Sequence, residues 1–403
     1  MISDLDNIWS QSSTRLKRSV IRELLKLTAK PEIISFAGGL PAPNTFPKDD
    51  LKQVINEIMD NESDFVLQYG TTEGDMILRK RLVEHQYRPI EGMDITTDNL
   101  IIVTASQQAL DLIGKVFIDP GDKVLVGLPS YLGGISAFRT YGADMIGIDL
   151  DDQGMDPVKL EKTLADLKAA GEKPKFIYII PDFQNPTGIT MPEARRVQIL
   201  EIAKKYDVLI LEDSPYREIR FEGDHQKTFF SLDNTGHVMT IGTFSKILCP
   251  GFRIGWVIAD RKIIDKIVMA KQAADLCTSP FTQRIAARYL EKGLMAELLK
   301  STVEKYKEKR DIMIEAFEKY MPEGVSWVKP EGGLFLFMTL PEHMDSEELF
   351  MKAVEKNVAY VIGSAFYANN GGSNKLRINF SYVDKETIPE GVKRLAEVIR
   401  ENM

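Results

Sequence analysis

The hydrophobic positions of this chain alternate between two patterns from residue 100 onward. Short, continuously apolar runs predict β-strands covered on both faces, and longer amphipathic stretches predict α-helices. The predicted strands span residues 100–104, 123–127, 144–149, 175–180, 207–211, 237–241 and 254–258. The predicted helices between them include residues 106–117, 132–141, 157–170 and 192–206. This alternation predicts an α/β fold with a doubly wound, mostly parallel seven-stranded sheet.

The pattern differs at the two ends of the chain. Near the N-terminus, residues 15–28 and 49–61 have helical spacing, and a loop rich in Gly and Pro at residues 37–44 separates them. Beyond residue 284 the chain is first helix-rich and charged, and later segments indicate a smaller α+β domain. These later segments are strands at 325–328, 334–339 and 375–380, and helices at 346–356 and 387–401.

The patterns together predict how the chain divides into domains. We expect residues 1–45 to form an N-terminal arm with a lid helix that is part of the small domain. Residues 46–290 would then form the large domain, and residues 291–403 the small C-terminal domain. A length of 403 residues suits such a division.

Composition and charge narrow the classes of function. The chain has 51 Lys and Arg against 59 Asp and Glu, and the net charge of −8 argues against a nucleic-acid surface. The acidic N-terminus is not a signal peptide, and no apolar run approaches the roughly 20 residues of a membrane helix. Cys249 and Cys277 are too few for a disulfide framework or a metal cage. We therefore expect a cytoplasmic protein without a metal site.

The segment from residue 242 to residue 256 carries the most specific chemistry. Lys246 lies among the hydroxyl side chains of Thr243 and Ser245, and Arg253 follows seven residues later. A Lys in such surroundings can form an imine with a carbonyl cofactor, and hydroxyls with an Arg can bind a phosphate group. Together these features indicate pyridoxal phosphate, which has an aldehyde and a phosphate and serves amino-acid chemistry.

Polar and aromatic residues follow several predicted strands, where ligands bind in α/β sheets. Ser106 and Gln107 begin a predicted helix, and backbone N–H groups at a helix N-terminus attract a phosphate. Taken alone, Ser106 is better explained as an ordinary helix cap. Tyr131 follows the strand at 123–127 and offers a flat ring for stacking on a pyridine, although a core Tyr explains it equally well.

Four further residues complete the predicted site. The carboxylate of Asp213 suits a protonated ring nitrogen, and Tyr216 and Asn185 suit the phenolic oxygen of the same ring. Arg377 suits an α-carboxylate as a bidentate clamp, but a salt bridge or an outward position on its strand would also explain it. An ordinary turn explains Asp213 or Asn185 alone. The order of these residues along the chain favours one shared site.

These residues resemble the fold-type I enzymes that depend on pyridoxal phosphate, specifically the class I and II aminotransferases. The resemblance spans residues 15–400 and is carried by Asn185-Pro186-Thr187-Gly188, by Asp213 with Tyr216, and by Ser245-Lys246 with Arg253. Two further segments resemble the kynurenine/2-aminoadipate aminotransferase branch, which includes broad-specificity bacterial and archaeal members. They are Phe36-Ala37-Gly38-Gly39-Leu40-Pro41 and Ile21-Arg22-Glu23-Leu24-Leu25.

The resemblance implies a role for each cofactor-binding residue. Lys246 would bind the cofactor covalently and then move a proton between the substrate Cα and the cofactor. Asp213 would pair with the pyridinium, and Tyr131 would stack on the ring. Asn185 and Tyr216 would bind the phenolate oxygen. The phosphate would be bound by Ser106, Gln107, Ser245, Arg253 and, as a weaker candidate, Thr243.

The resemblance also implies substrate contacts and an oligomer. Arg377 would hold the α-carboxylate, Asn185 and Gly39 would line the substrate pocket, and Arg22 would meet a side-chain carboxylate. For Arg22, an exposed helix charge is an equally good explanation. Tyr69 resembles the Tyr that reaches the phosphate of the neighbouring subunit, which implies a homodimer with shared active sites.

We therefore expect an aminotransferase that moves the amino group of an L-amino acid to a 2-oxo acid such as 2-oxoglutarate. The donor would be 2-aminoadipate, an aromatic amino acid or an aliphatic one. A C–S β-lyase or a decarboxylase would use the same residue types, because geometry selects the bond that breaks. A transcriptional regulator with this fold would need a basic DNA-binding module before residue 15, and the few residues there do not form one.

Overall fold

The computed structural model describes residues 6–18, 30–87 and 92–403. Its strands, numbered in chain order, are β1 (Ile34–Ser35), β2 (Leu100–Val103), β3 (Lys123–Leu128), β4 (Asp144–Asp151), β5 (Gly154–Met155), β6 (Phe176–Ile179), β7 (Leu209–Asp213), β8 (Val238–Thr243), β9 (Gly255–Ile258), β10 (Ser326–Trp327), β11 (Phe335–Thr339), β12 (Val358–Ala359), β13 (Val361–Ile362) and β14 (Lys375–Asn379).

The α-helices lie between these strands and at the two ends of the described chain. The longer ones are Lys48–Val66, Ala105–Phe117, Leu132–Thr140, Pro157–Ala169, Glu193–Tyr206, Arg261–Gln272, Pro280–Glu291, Leu294–Tyr320, Ser346–Glu355 and Ile388–Glu401. The short ones are Gln11–Thr14, Met76–Arg81 and Phe229–Leu232. Within the described ranges, no helix combines the length and apolarity needed to cross a membrane.

The central sheet confirms the predicted fold class. It has eight strands in the order β2-β9-β8-β7-β6-β3-β4-β5, and β3, β4, β6, β7 and β8 are parallel. The seven predicted strands all belong to it. The eighth, β5, has only two residues, which is too short for a hydrophobic pattern to show.

The segments that carry the predicted site residues lie at one edge of this sheet. The carboxyl ends of β3, β6, β7 and β8 lie there because these strands are parallel. Strand β9 is antiparallel to both β2 and β8, so its first residue, Gly255, is opposite Val103 and Thr243 at the same edge. Helix Ala105–Phe117 and the Lys246 segment therefore begin close to each other.

The C-terminal part of the chain forms a second sheet, β10-β11-β14-β13, whose pairs are all antiparallel. Near the N-terminus, β1 pairs with β12 in parallel, with Ile34 opposite Val358. N-terminal residues thus join the C-terminal region, as a discontinuous small domain requires; the domain boundaries themselves remain a prediction. Of the predicted helix at 15–28, residues 15–18 are described and are not helical, and residues 19–28 lie outside the described residues.

A buried ion pair fixes the loop that follows β6. Arg196, on helix Glu193–Tyr206, donates to both carboxylate oxygens of Asp182, at 2.7 and 3.2 Å. Both side chains are almost fully buried, and Arg196 Nε also donates to the Met191 carbonyl at 2.9 Å. These bonds hold the two ends of the loop that contains Asn185.

Replacing Arg196 by Met should lower the free energy of unfolding by about 3–5 kcal/mol, because it leaves the Asp182 carboxylate buried without its main partner. Chemical denaturation measures this change. Lys162→Ala is the matched control, since its ion pair with Asp166 is exposed and contributes only about 0.5 kcal/mol. Equal losses in the two variants would show that Arg196 does not stabilise the loop.

Candidate active site

Lys246 lies three residues beyond the end of β8, at the functional edge of the sheet. Its side chain is half-buried, and Nζ donates to the Gly39 carbonyl at 2.7 Å. Burial, together with the positive charges of Arg377 and Arg253, lowers the pKa of Lys246 to about 8. A lysine with such a pKa is partly neutral near physiological pH, as a nucleophile or a general base must be.

Asp213 is the last residue of β7 and is only 2% exposed. Tyr178 on β6 donates its hydroxyl to Asp213 Oδ2 at 2.8 Å. The other oxygen, Oδ1, is buried and has no hydrogen-bond partner among the described residues. Burial raises the pKa of Asp213 to about 6, and the Tyr178 hydrogen bond opposes that rise. The arrangement therefore presents one unsatisfied acceptor, which a cationic N–H group would satisfy.

A chain of hydrogen bonds connects three more predicted residues. Asn185 Nδ2 donates to the Tyr216 hydroxyl at 3.3 Å, and Arg377 donates to Asn185 Oδ1 at 2.9 Å. Arg377 also donates to the Ala37 carbonyl at 2.9 Å. The loop after β6, the turn after β7, strand β14 and the N-terminal segment thus meet at one point. Asn185, Tyr216 and Arg377 are thus hydrogen-bonded in one group, and their roles toward a ligand stay a prediction.

Arg377 is a buried cation in an aromatic enclosure. Its guanidinium carbon lies 4.2 Å from the ring centroid of Phe335 and 5.0 Å from that of Phe366. Nε is buried and has no hydrogen-bond partner among the described residues, none of whose carboxylates forms an ion pair with Arg377. Burial lowers its pKa to about 10, so it remains charged at neutral pH. A buried cation in this state suits an external carboxylate.

The predicted phosphate-binding residues lie around the start of helix Ala105–Phe117. Ser106 is its second residue, and β9 packs so closely beneath it that a Cβ at Gly255 would lie 2.8 Å from Ser106 N. Gln107 Nε2 donates to the Gly133 carbonyl at 3.1 Å and thereby connects this helix to the start of helix Leu132–Thr140. The side chain of Arg253 is exposed beside the Lys246 segment.

Two predicted phosphate-binding residues contact each other. Ser245 N donates to Thr243 Oγ1 at 3.1 Å, and Thr243 Oγ1 donates to the Ile254 carbonyl at 3.0 Å. The Thr243 hydroxyl is therefore already used inside the chain, where it connects β8 to the start of β9. That use suits Thr243 to shaping the loop, whereas Ser245 and Ser106 retain hydroxyl donors for a ligand.

The remaining predicted residues occupy different positions. Tyr131 caps helix Leu132–Thr140, and its ring covers Gly133 so closely that a Cβ there would lie 2.4 Å away. Gly39 borders Phe335, whose ring would be 3.4 Å from an added Cβ. Tyr69 is 79% exposed and does not join the cluster within this chain. Arg22 lies outside the described residues.

The structure adds residues that we did not predict. Tyr178 bonds to Asp213, while Phe335 and Phe366 enclose Arg377. A signal for Tyr178 was present, because a hydroxyl inside a short apolar strand needs a buried partner. No comparable signal exists for the two Phe residues, whose contacts depend on how the C-terminal segments fold against the large sheet.

Comparison with known proteins agrees with this geometry. Residues 42–395 match the family described as aminotransferase class I and II. The aromatic-amino-acid aminotransferase 1 of Thermococcus litoralis is 47% identical, over 99% of this chain and 96% of that protein. The 2-aminoadipate transaminase of Thermus thermophilus is 39% identical, over 97% of each chain.

A solved structure shows the same similarity in three dimensions. The kynurenine aminotransferase of Pyrococcus horikoshii, solved with PMP and with kynurenine and its product, superposes with a TM-score of 0.96. It is 48% identical and the match covers 100% of this chain and 99% of that one. The family match extends over most of the chain, and every predicted cofactor-binding residue, from Tyr69 to Arg253, lies within it. The chain belongs to the class I and II aminotransferase family.

Proposed function

We propose that this aminotransferase moves the amino group of an aromatic amino acid or of 2-aminoadipate to 2-oxoglutarate. An aliphatic amino acid is a further candidate donor. The relatives named above act on aromatic amino acids, 2-aminoadipate and kynurenine, which supports this choice of donors. The observation that carries the proposal is Arg377: its buried guanidinium bonds to Asn185 and has no carboxylate partner among the described residues, which suits the α-carboxylate that donor and acceptor share.

The cofactor is pyridoxal 5′-phosphate, and the residues present fit it. Asp213 Oδ1, a buried acceptor that no described residue satisfies, would accept from the ring N–H, and Asn185 with Tyr216 would hold the phenolic oxygen. Tyr131 would cover the ring face. The phosphate would be held by Ser106, Gln107, Ser245 and Arg253 at the start of helix Ala105–Phe117. When bound, the cofactor supplies an electron sink that makes the substrate Cα proton acidic.

The protein's own residues then orient the substrate and move the proton. Arg377 fixes the carboxylate with a planar pair of N–H donors, which sets the orientation of Cα. Lys246, with a pKa of about 8, would remove the Cα proton as a neutral amine and then donate it to the cofactor. Asp213 stays ionised while paired with a cation and so maintains the positive charge on the ring.

Two further features belong to the proposal. We infer a homodimer, supported by exposed apolar side chains around Tyr69: Leu67 is 71% exposed and Phe65 46%. In such a dimer Tyr69 would complete the partner's phosphate site. We also infer a cytoplasmic location, supported by the two free cysteines, Cys249 and Cys277.

A panel of L-amino acids tested with 2-oxoglutarate examines the proposed substrates. Glutamate should form when the donor is an aromatic amino acid, kynurenine or 2-aminoadipate. The kcat/KM values for these donors should be at least about tenfold above that for aspartate, a ratio that one additional contact in the transition state supplies. Aspartate is the control, because its side-chain carboxylate lies closer to Cα than that of 2-aminoadipate. Preference for aspartate, or no glutamate with any of these donors, would refute the substrate proposal.

A further inference from the structure

We propose that Tyr178 is a positioning residue that holds the Asp213 carboxylate with Oδ1 turned toward the ring nitrogen of the cofactor. The proposal rests on the function proposed above, since it concerns the same site. The two oxygens of the Asp213 carboxylate differ in their hydrogen bonds. Tyr178 donates to Oδ2 at 2.8 Å, while Oδ1 is buried with no hydrogen-bond partner among the described residues.

The sheet register explains why Tyr178 reaches Asp213. Strands β6 and β7 are parallel neighbours, and Tyr178 is opposite Leu211. Asp213 lies two residues further along β7, on the same face of the sheet as Leu211, because side chains alternate between faces. A Tyr side chain is long enough to reach this diagonal neighbour, whereas an aliphatic residue at position 178 would offer it no donor.

The Tyr178 ring is held firmly in place. Phe138 packs edge to face against it, with ring centroids 5.3 Å apart and planes at 80°. On another side the ring touches helix Leu132–Thr140, where a Cβ at Gly134 would lie 2.8 Å from a ring carbon. Strand β6 itself is an interior strand, between β3 and β7. These contacts hold the ring in the position from which its hydroxyl donates to Asp213 Oδ2.

Besides burial, the Tyr178 hydrogen bond is the main influence on the pKa of Asp213. The electrostatic neighbours of Tyr178 are Asp213 itself, Tyr131 at the start of helix Leu132–Thr140, and Tyr216 after β7. Two of these neighbours are phenols and the third is the Asp213 carboxylate itself, so none of them is a cation. Burial raises the pKa of Asp213, and the Tyr178 hydrogen bond is what lowers it. Loss of that bond must therefore raise the pKa.

This arrangement predicts how cofactor affinity depends on pH. Asp213 binds a ring cation well only when it is ionised, so the affinity falls as the pH drops through the pKa of Asp213. In the wild type that fall should centre near pH 6. In Tyr178→Phe it should centre at a higher pH. Affinity for pyridoxal phosphate at neutral pH should also fall roughly tenfold, because the carboxylate is no longer held toward the ring nitrogen, as expected for a lost bond to a charged group.

The test dialyses holoenzyme to equilibrium against buffers with a series of free pyridoxal phosphate concentrations at each pH. Absorbance then measures how much cofactor remains bound. Tyr360→Phe is the matched control, because it removes an equally buried hydroxyl, bonded to the Ser346 carbonyl at 2.7 Å. A double-mutant cycle with Asp213→Asn separates positioning from general damage. Once Asp213 is uncharged, removal of the Tyr178 hydroxyl should change the affinity less than about twofold, against tenfold in the Asp213 background.

The outcomes are distinct. An upward shift of the pH midpoint in Tyr178→Phe alone, with no such shift in Tyr360→Phe, supports the positioning role. Identical pH midpoints and affinities in wild type and Tyr178→Phe would overturn it. So would an equal loss in the Asp213→Asn background. Failure of the wild type to bind pyridoxal phosphate would instead refute the proposed function, so the two failures are distinguishable.

Discussion

Lys246→Ala should lower kcat by roughly 10⁴-fold or more, because it removes both the covalent anchor and the proton-transfer amine. Lys246 is the half-buried amine three residues beyond the end of β8, with a pKa lowered to about 8 by burial and by two nearby Arg residues. Steady-state transamination measures the loss. The purified variant should also lose the visible absorption that a lysine-bound cofactor gives, while cofactor retained by the phosphate site should dialyse away.

Lys246→Arg is the control that identifies which property of Lys246 matters. An Arg keeps the positive charge but cannot become neutral, so it is neither a nucleophile nor a base. We expect this variant to be as inactive as Lys246→Ala. Substantial activity in Lys246→Arg would mean that the site needs only a positive charge there, and the proposed roles of Lys246 would be wrong.

Arg377→Leu should lower kcat/KM by roughly 10²–10³-fold, as expected for the loss of two hydrogen bonds to a charged group. Most of the effect should be on KM for both the amino acid and the 2-oxo acid, since both share the α-carboxylate. Steady-state kinetics with each substrate varied in turn measures it. Leu fits the aromatic enclosure of Phe335 and Phe366, so the fold should persist.

Lys375→Met is the matched control for Arg377. Lys375 is two residues earlier on β14 and therefore on the same face, but its amine donates to the Thr339 hydroxyl, at 2.8 Å. Removing this cation should change kcat/KM less than about threefold, because it makes no proposed substrate contact. Equal losses in the two variants would mean that positive charge on this face, rather than a specific clamp, assists binding.

The sequence predicts the central sheet well because most of its strands are buried on both faces and thus continuously apolar. Asp213, Asn185 and Lys246 could be assigned to one edge of that sheet because each follows a parallel strand. By contrast, β12 and β13 have two residues each, too few for periodicity to show. Their pairing depends on distant residues: β12 pairs with β1 near the N-terminus.

Parts of the site were beyond sequence reasoning for a different reason. The partner of Tyr178 follows from the register of β6 on β7, which a hydrophobic pattern does not specify. The enclosure of Arg377 by Phe335 and Phe366 brings together residues from the second sheet and its connections. For Tyr69, exposure in one chain agrees with a role across a subunit interface, and that role remains a prediction.

The central claim is that the protein transfers an amino group, and one half-reaction tests it directly. Purified holoenzyme is mixed with an excess of L-kynurenine, L-phenylalanine or L-2-aminoadipate in the absence of any 2-oxo acid. An aminotransferase should retain the nitrogen and release about one equivalent of the corresponding 2-oxo acid per active site, without ammonia or carbon dioxide. Continuous release of ammonia or of carbon dioxide under these conditions would contradict the account and would instead indicate a lyase or a decarboxylase.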